Sequence, residues 1–382
     1  MTFRIPGVRS MRGTRRAFVL LMLATAACAD SPESAVVTEP IAIGEPVLLI
    51  GADESRDGHL LHRVTTVVRH EDGRILLANS GSGEVRVFSP DGELVRSFSR
   101  SGSGPGEHQF LARLWLAGDT IITYDPLAER LNYWSIEGEL LSDARFADGP
   151  HHLRHRVETG RFVSAPVSQQ PFAKGTSRID SSAVSLVSPG LRAISVVTAP
   201  AQTRFGATLP DGGTIFTPLP LEPQLSVAAN ERQIIVGYGG DTVVSRYGAD
   251  GSLLGQVPLP MRSEALSEQA KSAWQETMFE RVSADERAQM ERYLASLPYS
   301  ADLPVFDRIL VDDEDRIWVR QFHVPGRDST TWSVVDPDGE RFAVVRAPAA
   351  ADIRHISHGH AVGILSRADG AEQVAVWRIP EH

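Results

Sequence analysis

Cysteine is nearly absent from this sequence, with Cys28 alone among 382 residues. A single thiol excludes an intrachain disulfide framework and any multi-cysteine zinc site. Basic residues are in deficit, 38 Lys and Arg against 48 Asp and Glu, for a net charge of −10. Nucleic-acid binding needs a basic face to neutralise phosphates, and nothing here supplies one. The apolar stretch Ala17–Ala27 has only eleven residues, too few to span a bilayer as a helix. No His-Glu-x-x-His, Gly-x-Ser-x-Gly or phosphate-loop string occurs, because GSGPG lacks the required spacing and context. What is present, 42% hydrophobic and 23% charged, describes a globular chain.

The charge is unevenly distributed. Residues 1–27 carry Arg4, Arg9, Arg12, Arg15 and Arg16 and no acid, so the rest of the chain holds −15. A basic segment, a short apolar run and a small-residue exit make an export signal. Cys28 follows directly, and the arrangement resembles a bacterial lipoprotein signal, in which the cysteine after the cleavage site is lipidated. Thr25 stands where that pattern prefers Leu. Thr14–Leu20, TRRAFVL, also resembles the twin-arginine export motif, departing at Val19 and Leu20. The expectation is a signal peptide over 1–27, a lipidated Cys28, and a Pro-, Ser- and Glu-bearing tether to residue 40.

Beyond residue 60 one pattern recurs: an apolar run, a turn, a second run, then Asp-Gly or its like and a third. GRILLANSGSGEVRVFSPDGELVRSF from Gly73 is copied without a gap from Asp119, where Ile75, Phe88 and Gly92 match Ile121, Trp134 and Gly138, each 46 residues on. A third copy from Gln233 matches the same positions with Ile234, Tyr247 and Gly251. Periods of this length holding several short strands are propeller blades. Weaker copies near Gly160, Asp315 and His360 bring the count to six, beginning near residues 64, 110, 150, 223, 305 and 352. The last lacks an outer strand, which Glu45–Gly51, EPVLLIG, is expected to supply, closing the ring across residues 41–382. The Asp-Gly strings at Ser89, Ala249 and Asp336 read as hairpin turns; calcium is the alternative they raise, though EF-hand spacing is missing, and otherwise no cofactor is predicted.

The strings GSGPGE at Gly102–Glu107, ILLANSGSGEVRVFSPDGELV, and ILVDDEDRIWVR from Ile309 followed by VVDPDGE carry a family likeness. The chain resembles the six-bladed β-propeller lipoproteins of bacteria, relatives of the NHL-repeat and TolB-like propellers. His108 and Gln109 separate Glu107 from Phe110, where the family usually runs straight on. The resemblance implies an all-β propeller on the periplasmic or outer-surface side of the envelope. It implies no settled activity and transfers no catalytic residue.

In a meander blade, a–b and c–d turns lie on one face, while b–c loops and connections between blades lie on the other. Length variation gathers on the second face: Arg100–Gln109, the approach Ala147–His152, Pro166–Ser182, Arg320–Thr330, and an insertion between Pro260 and Val305. That face is the expected binding face, with Glu107, His108, His151, His152, Arg320 and His323 as its candidate residues. Asn79 and Asp125, equivalent positions ending strand b, join them, although turn fixing explains both. The insertion predicts two helices within about 263–297, one with a Leu266, Ala270, Trp274, Met278 stripe, the other opened by a Ser283–Glu286 capping box. Packing of both stripes on the propeller is the simpler expectation, a lid or docking hairpin the other. His151 and His155 share a face if extended, the one metal-like cluster on this side. The sequence therefore reads as a lipid-anchored binding or scaffold protein for a protein, peptide or glycan, with a metal-dependent hydrolase or lyase of lactonase type as the alternative.

Overall fold

The computed structural model describes residues 39–53, 55–147, 151–208, 213–280, 282–339, 342–367 and 370–380. The expected signal peptide, Cys28 and most of the tether lie outside the described residues.

Two short strands, β1 (Ile41–Ala42) and β2 (Leu48–Ile50), precede the repeats. Blade one holds β3 (Val64–Arg69), β4 (Ile75–Asn79), β5 (Glu84–Phe88) and β6 (Leu94–Phe98), paired in that order. A two-rung parallel ladder, β7 (Arg100–Ser101) with β8 (Glu107–His108), shapes the glycine-rich loop after it. Blade two is β9 (Arg113–Ala117), β10 (Thr120–Asp125), β11 (Arg130–Ser135) and β12 (Leu140–Arg145). Blade three is β13 (Leu153–Arg156), β14 (Phe162–Ser164), β15 (Ser177–Ser188) and β16 (Leu191–Thr208), with a fifth strand β17 (Thr214–Pro218) on the end of β16. Blade four is β18 (Leu225–Ala229), β19 (Gln233–Tyr238), β20 (Val243–Gly248) and β21 (Leu253–Pro258).

Helices α1 (Glu268–Phe279) and α2 (Ala284–Ser296) then intervene, within the expected insertion. Blade five is β22 (Phe306–Val311), β23 (Ile317–Gln321), β24 (Ser329–Val335) and β25 (Phe342–Pro348), with β1 added in parallel to β25. Blade six is β26 (Ala351–Ser357), β27 (His360–Ser366) and β28 (Glu372–Arg378); β2 pairs antiparallel with β28 and supplies the fourth strand. First strands of successive blades touch in the order β3, β9, β13, β18, β22, β26 and back to β3. The chain is a six-bladed β-propeller.

The apolar code follows from this stacking. A second strand is covered on both faces, so ILLAN in β4 is continuously buried rather than alternating. Ile75 and Leu77 pack against Val362, Ile364 and Val376 of blade six, whereas Leu76 and Ala78 pack against Leu114, Ile121 and Trp134 of blade two. Each of the six blade interfaces has such a cluster, and each fully buried Leu or Ile contributes about 1.5–3 kcal/mol. The repeat-equivalent residues sit opposite each other in the b–c ladders: Ile75 with Phe88, Ile121 with Trp134, Ile234 with Tyr247. Gly138 turns the second c–d hairpin at φ 81°, and a Cβ there would meet Phe98 of blade one at 2.6 Å, so the turn is also a blade contact.

Two parts differ from the sequence expectation. The Pro166–Ser182 loop is shorter than predicted, because β15 already begins at Ser177. Only Phe162–Ser164 pair with the blade end of β15; its first half, with the far end of β16 and β17, rises beyond the blade as a hairpin wall. That wall is tied by a buried pair, Asp180 with Arg204, and the Arg204 guanidinium lies over Phe172 and Phe216. The helical stripes are buried against this wall and its exit. Trp274, Met278, Met290, Tyr293 and Leu294 surround Leu219 and Phe205, and Ala270 and Leu266 meet Leu221, Phe322 and Val324. The Glu286 carboxylate accepts from Ser283 N and Oγ at 3.0 and 2.7 Å, closing the predicted capping box.

Candidate functional site

The six first strands enclose a central channel of about 690 Å³. In a regular a–b ladder each residue has one partner and side chains alternate between neighbouring blades. Four of the six ladders break that rule by one residue. The register skips Thr65 in β3, Arg154 in β13, Asp307 in β22 and Arg354 in β26. All four skipped residues are polar, and all four line the channel. A bulge releases one residue from its ladder and re-aims its side chain, so the channel wall is chemically furnished at these four points. Arg113 at the start of β9 and Arg308 in β22 join them without a bulge of their own.

Most charges in this wall are matched. Asp352 accepts from Arg308 and, at 2.6 Å, from Arg354, whose Nη1 also donates to Thr65 O at 3.1 Å. Burial raises the Asp352 pKa, but the two guanidinium groups outweigh it and hold the carboxyl below its ordinary value. Asp307 accepts from Arg320 Nε at 2.6 Å and His323 N at 3.2 Å. Arg156 pairs with Glu231 at 2.5 Å, Asp312 with Arg316 at 2.7 Å, and Asp313 faces His358 at 3.5 Å. Arg113 and Arg154 differ. Among the described residues, Arg113 donates only to the neighbouring Ala112 carbonyl, and Arg154, open to the channel, has no hydrogen bond or ion pair. Desolvation, then repulsion from Arg154 and Arg354, pushes Arg113 down to about 10, and desolvation lowers Arg154. Both remain cationic at neutral pH. Between the arginines, His155 donates Nε2–H to Val227 O at 2.9 Å, and His355 meets Ser357 Oγ at 3.0 Å. Desolvation holds both imidazoles at about 4, hence neutral.

The residues expected on the long-loop face divide into two groups. Arg320 and His323 reach the channel through Asp307. The remainder, His152 apart, are engaged in holding loops. Asp125 is fully buried and accepts from the backbone N–H groups of Gln109, Phe110, Leu127 and Ala128. Asn79 accepts from His62 N and donates to Ser82 Oγ. Glu107 accepts from Gly104 N and pairs with Arg100 at 2.6 Å inside the glycine-rich loop. His108 is buried and bonded on both nitrogens, to Ser99 Oγ and Thr123 Oγ1, each at 2.8 Å. His151 stacks on Phe146 at 4.4 Å, and His152 is exposed. The shared face expected for His151 and His155 does not form: His151 precedes β13, and the bulge at Arg154 breaks the alternation. Among the described residues no three His, Cys, Asp or Glu side chains gather where they could hold a metal ion.

The channel arginines Arg113, Arg154, Arg156, Arg308 and Arg354 escaped sequence reasoning, which followed loop length. Their signal was present: RLWLA, LRHR, FDRILV and ADIRHIS are first strands carrying an arginine where apolar residues suffice elsewhere.

Comparison with known proteins agrees with the strand pairing. A family model described as a 6-bladed beta-propeller (DUF5128) matches residues 54–163. That span covers the first two blades and the start of the third. No curated protein matches the sequence. Similar solved structures include a Bacteroides fragilis protein given as exported, at 11% identity over 89% of this chain and 99% of that one, TM-score 0.46. A DUF4221 member from Bacteroides vulgatus aligns at 11% identity over 89% and 98%, TM-score 0.44. Regucalcin from Agrobacterium tumefaciens, a calcium-binding protein, aligns at 10% identity over 90% and 98%, TM-score 0.39. Superpositions this loose transfer no residue role. No helix among the described residues is long and apolar enough to cross a membrane.

Proposed function

We propose that the chain is an exported, lipid-anchored propeller that works by binding, and that its ligand sits in the central channel. The observation that supports this reading is the set of four bulges that turn Thr65, Arg154, Asp307 and Arg354 into one channel. A bulge forfeits ladder hydrogen bonds, and four in one six-membered ring, each aiming a polar residue into the channel, fit a site better than they fit a packed core. The channel's volume suits a small organic molecule. The long-loop face, with its hairpin wall and helices, then frames the mouth.

Purification from the native envelope tests the site. Denaturing the protein should release a small molecule detectable by mass spectrometry. It should be missing from Gln224→Trp, which fills the mouth at an exposed residue without removing a side-chain hydrogen bond. Capture of the same protein partner by both forms, with no small molecule from either, refutes the channel as the site. The anchor is tested apart: Cys28→Ser should move the protein from the membrane fraction to the soluble one, and unchanged retention rejects lipidation.

A further inference from the structure

Resting on the reading of the channel as a binding site, we infer that its ligand is a small organic anion with two acidic groups, carboxylate or phosphate, held between Arg113 and Arg154. Among the described arginines that line the channel, Arg156, Arg308 and Arg354 each have a carboxylate partner, whereas Arg113 and Arg154 have none. They stand on β9 and β13, the touching first strands of blades two and three. Neither pairs with a carboxylate among the described residues; Tyr124 ties the two blades, donating from its hydroxyl to His151 O at 2.6 Å.

Placing two uncompensated guanidinium groups together inside a chain of net charge −10 costs desolvation and mutual repulsion. A bound anion relieves both at once, and the relief appears as affinity. Arginine suits the task because its planar fork meets carboxylate or phosphate through two parallel N–H donors. The bulge matters here, since without the extra residue the Arg154 side chain would stay in the alternation and face a neighbouring blade. The channel volume of about 690 Å³ exceeds what inorganic phosphate fills, which favours an organic anion with a body between its acidic ends. Thr65, Ser226, Ser357 and the neutral His155 and His355 line the remaining wall and offer polar contacts without adding charge.

The test is calorimetric titration of the purified protein at low ionic strength with succinate, pyrophosphate, inorganic phosphate, butyrate and 1,4-butanediol. Succinate or pyrophosphate should bind, butyrate at least about ten-fold more weakly and butanediol not at all; the tighter dianion tells carboxylate from phosphate. Arg113→Gln and Arg154→Gln should each weaken the dianion about 10- to 100-fold, the range for a hydrogen bond to a charged group. Arg145→Gln, at an exposed arginine of β12, should leave binding unchanged. Folding is read separately: Arg154 has no partner to lose, so the Arg154→Gln melting temperature should hold or rise. Dianion binding that survives both channel substitutions overturns the inference, and so does failure of every dianion to bind. If a neutral molecule is meanwhile released from the native channel, the binding function stands and only its anionic ligand falls.

Discussion

His108 offers the sharpest check on the assignment of the glycine-rich loop to structure. It is 1% exposed and sits in an ordered chain of donors. Trp134 Nε1–H donates to Thr123 Oγ1 at 3.1 Å, and Thr123 Oγ1 and Asn132 Nδ2 approach His108 Nε2 at 2.8 and 3.3 Å. The other nitrogen, Nδ1, meets Ser99 Oγ at 2.8 Å, which in turn donates to Gly106 O at 3.0 Å. Asn132 can only donate through Nδ2, which assigns the acceptor role to Nε2 and the proton to Nδ1. A second proton on Nε2 would face those donors, and desolvation, the largest cause, already holds the imidazole at about 4. In the unfolded chain the value returns to 6.5. The unfolded state therefore binds more protons between pH 6.5 and 4, and stability falls as pH drops through that window. From pH 8 to pH 5 the loss from this one residue is about 2 kcal/mol. Urea unfolding of the wild type and His108→Gln at both pH values isolates it, because His155 and His355 act alike in both proteins. The wild type should lose about 2 kcal/mol more than the variant over that interval. Equal pH dependence would refute the buried neutral imidazole and return His108 to the candidates for a binding role.

Other parts of the fold give equally direct checks. Ile50 is fully buried in β2, the strand that closes blade six; Ile50→Ala should cost about 3 kcal/mol by urea midpoint, and a loss under about 1 kcal/mol would mean that β2 does not close the ring. Asp180→Asn leaves Arg204 charged and buried in the hairpin wall, so a loss of about 3–5 kcal/mol is expected, with Asp180→Leu combined with Arg204→Met recovering most of it; a neutral single substitution contradicts the buried pair. Glu286→Ala removes the capping box of α2 and should cost about 1 kcal/mol in thermal unfolding while leaving ligand affinity in the channel unchanged; altered affinity would show that the helices do more than pack.

The architecture was legible in the sequence because it is written locally and repeated. Ile75, Ile121 and Ile234 recur with their Phe88, Trp134 and Tyr247 partners since each blade must present the same apolar faces to its neighbours. Asp-Gly turns, the capping box at Ser283 and the spare strand at Glu45–Gly51 are likewise readable, each depending on residues within a few positions or on a simple count of strands. Asn79 and Asp125 could be placed at the ends of second strands, and turn fixing named as their simpler role, for the same reason. What the sequence determined by itself was a six-bladed ring, its loop-rich face and a net acidic surface. The site was decided only by tertiary structure. Whether Arg154 or Arg354 enters the channel depends on a one-residue slip in a ladder, which shifts a side chain without altering the apolar pattern. Whether an arginine there is spent or free depends on carboxylates from other strands: Asp352 reaches Arg308 across 44 positions, Asp307 is held by Arg320 across 13, and no carboxylate among the described residues reaches Arg154. Charge pairing acts through space over a few ångströms, and only the closed ring sets which charges come within that distance.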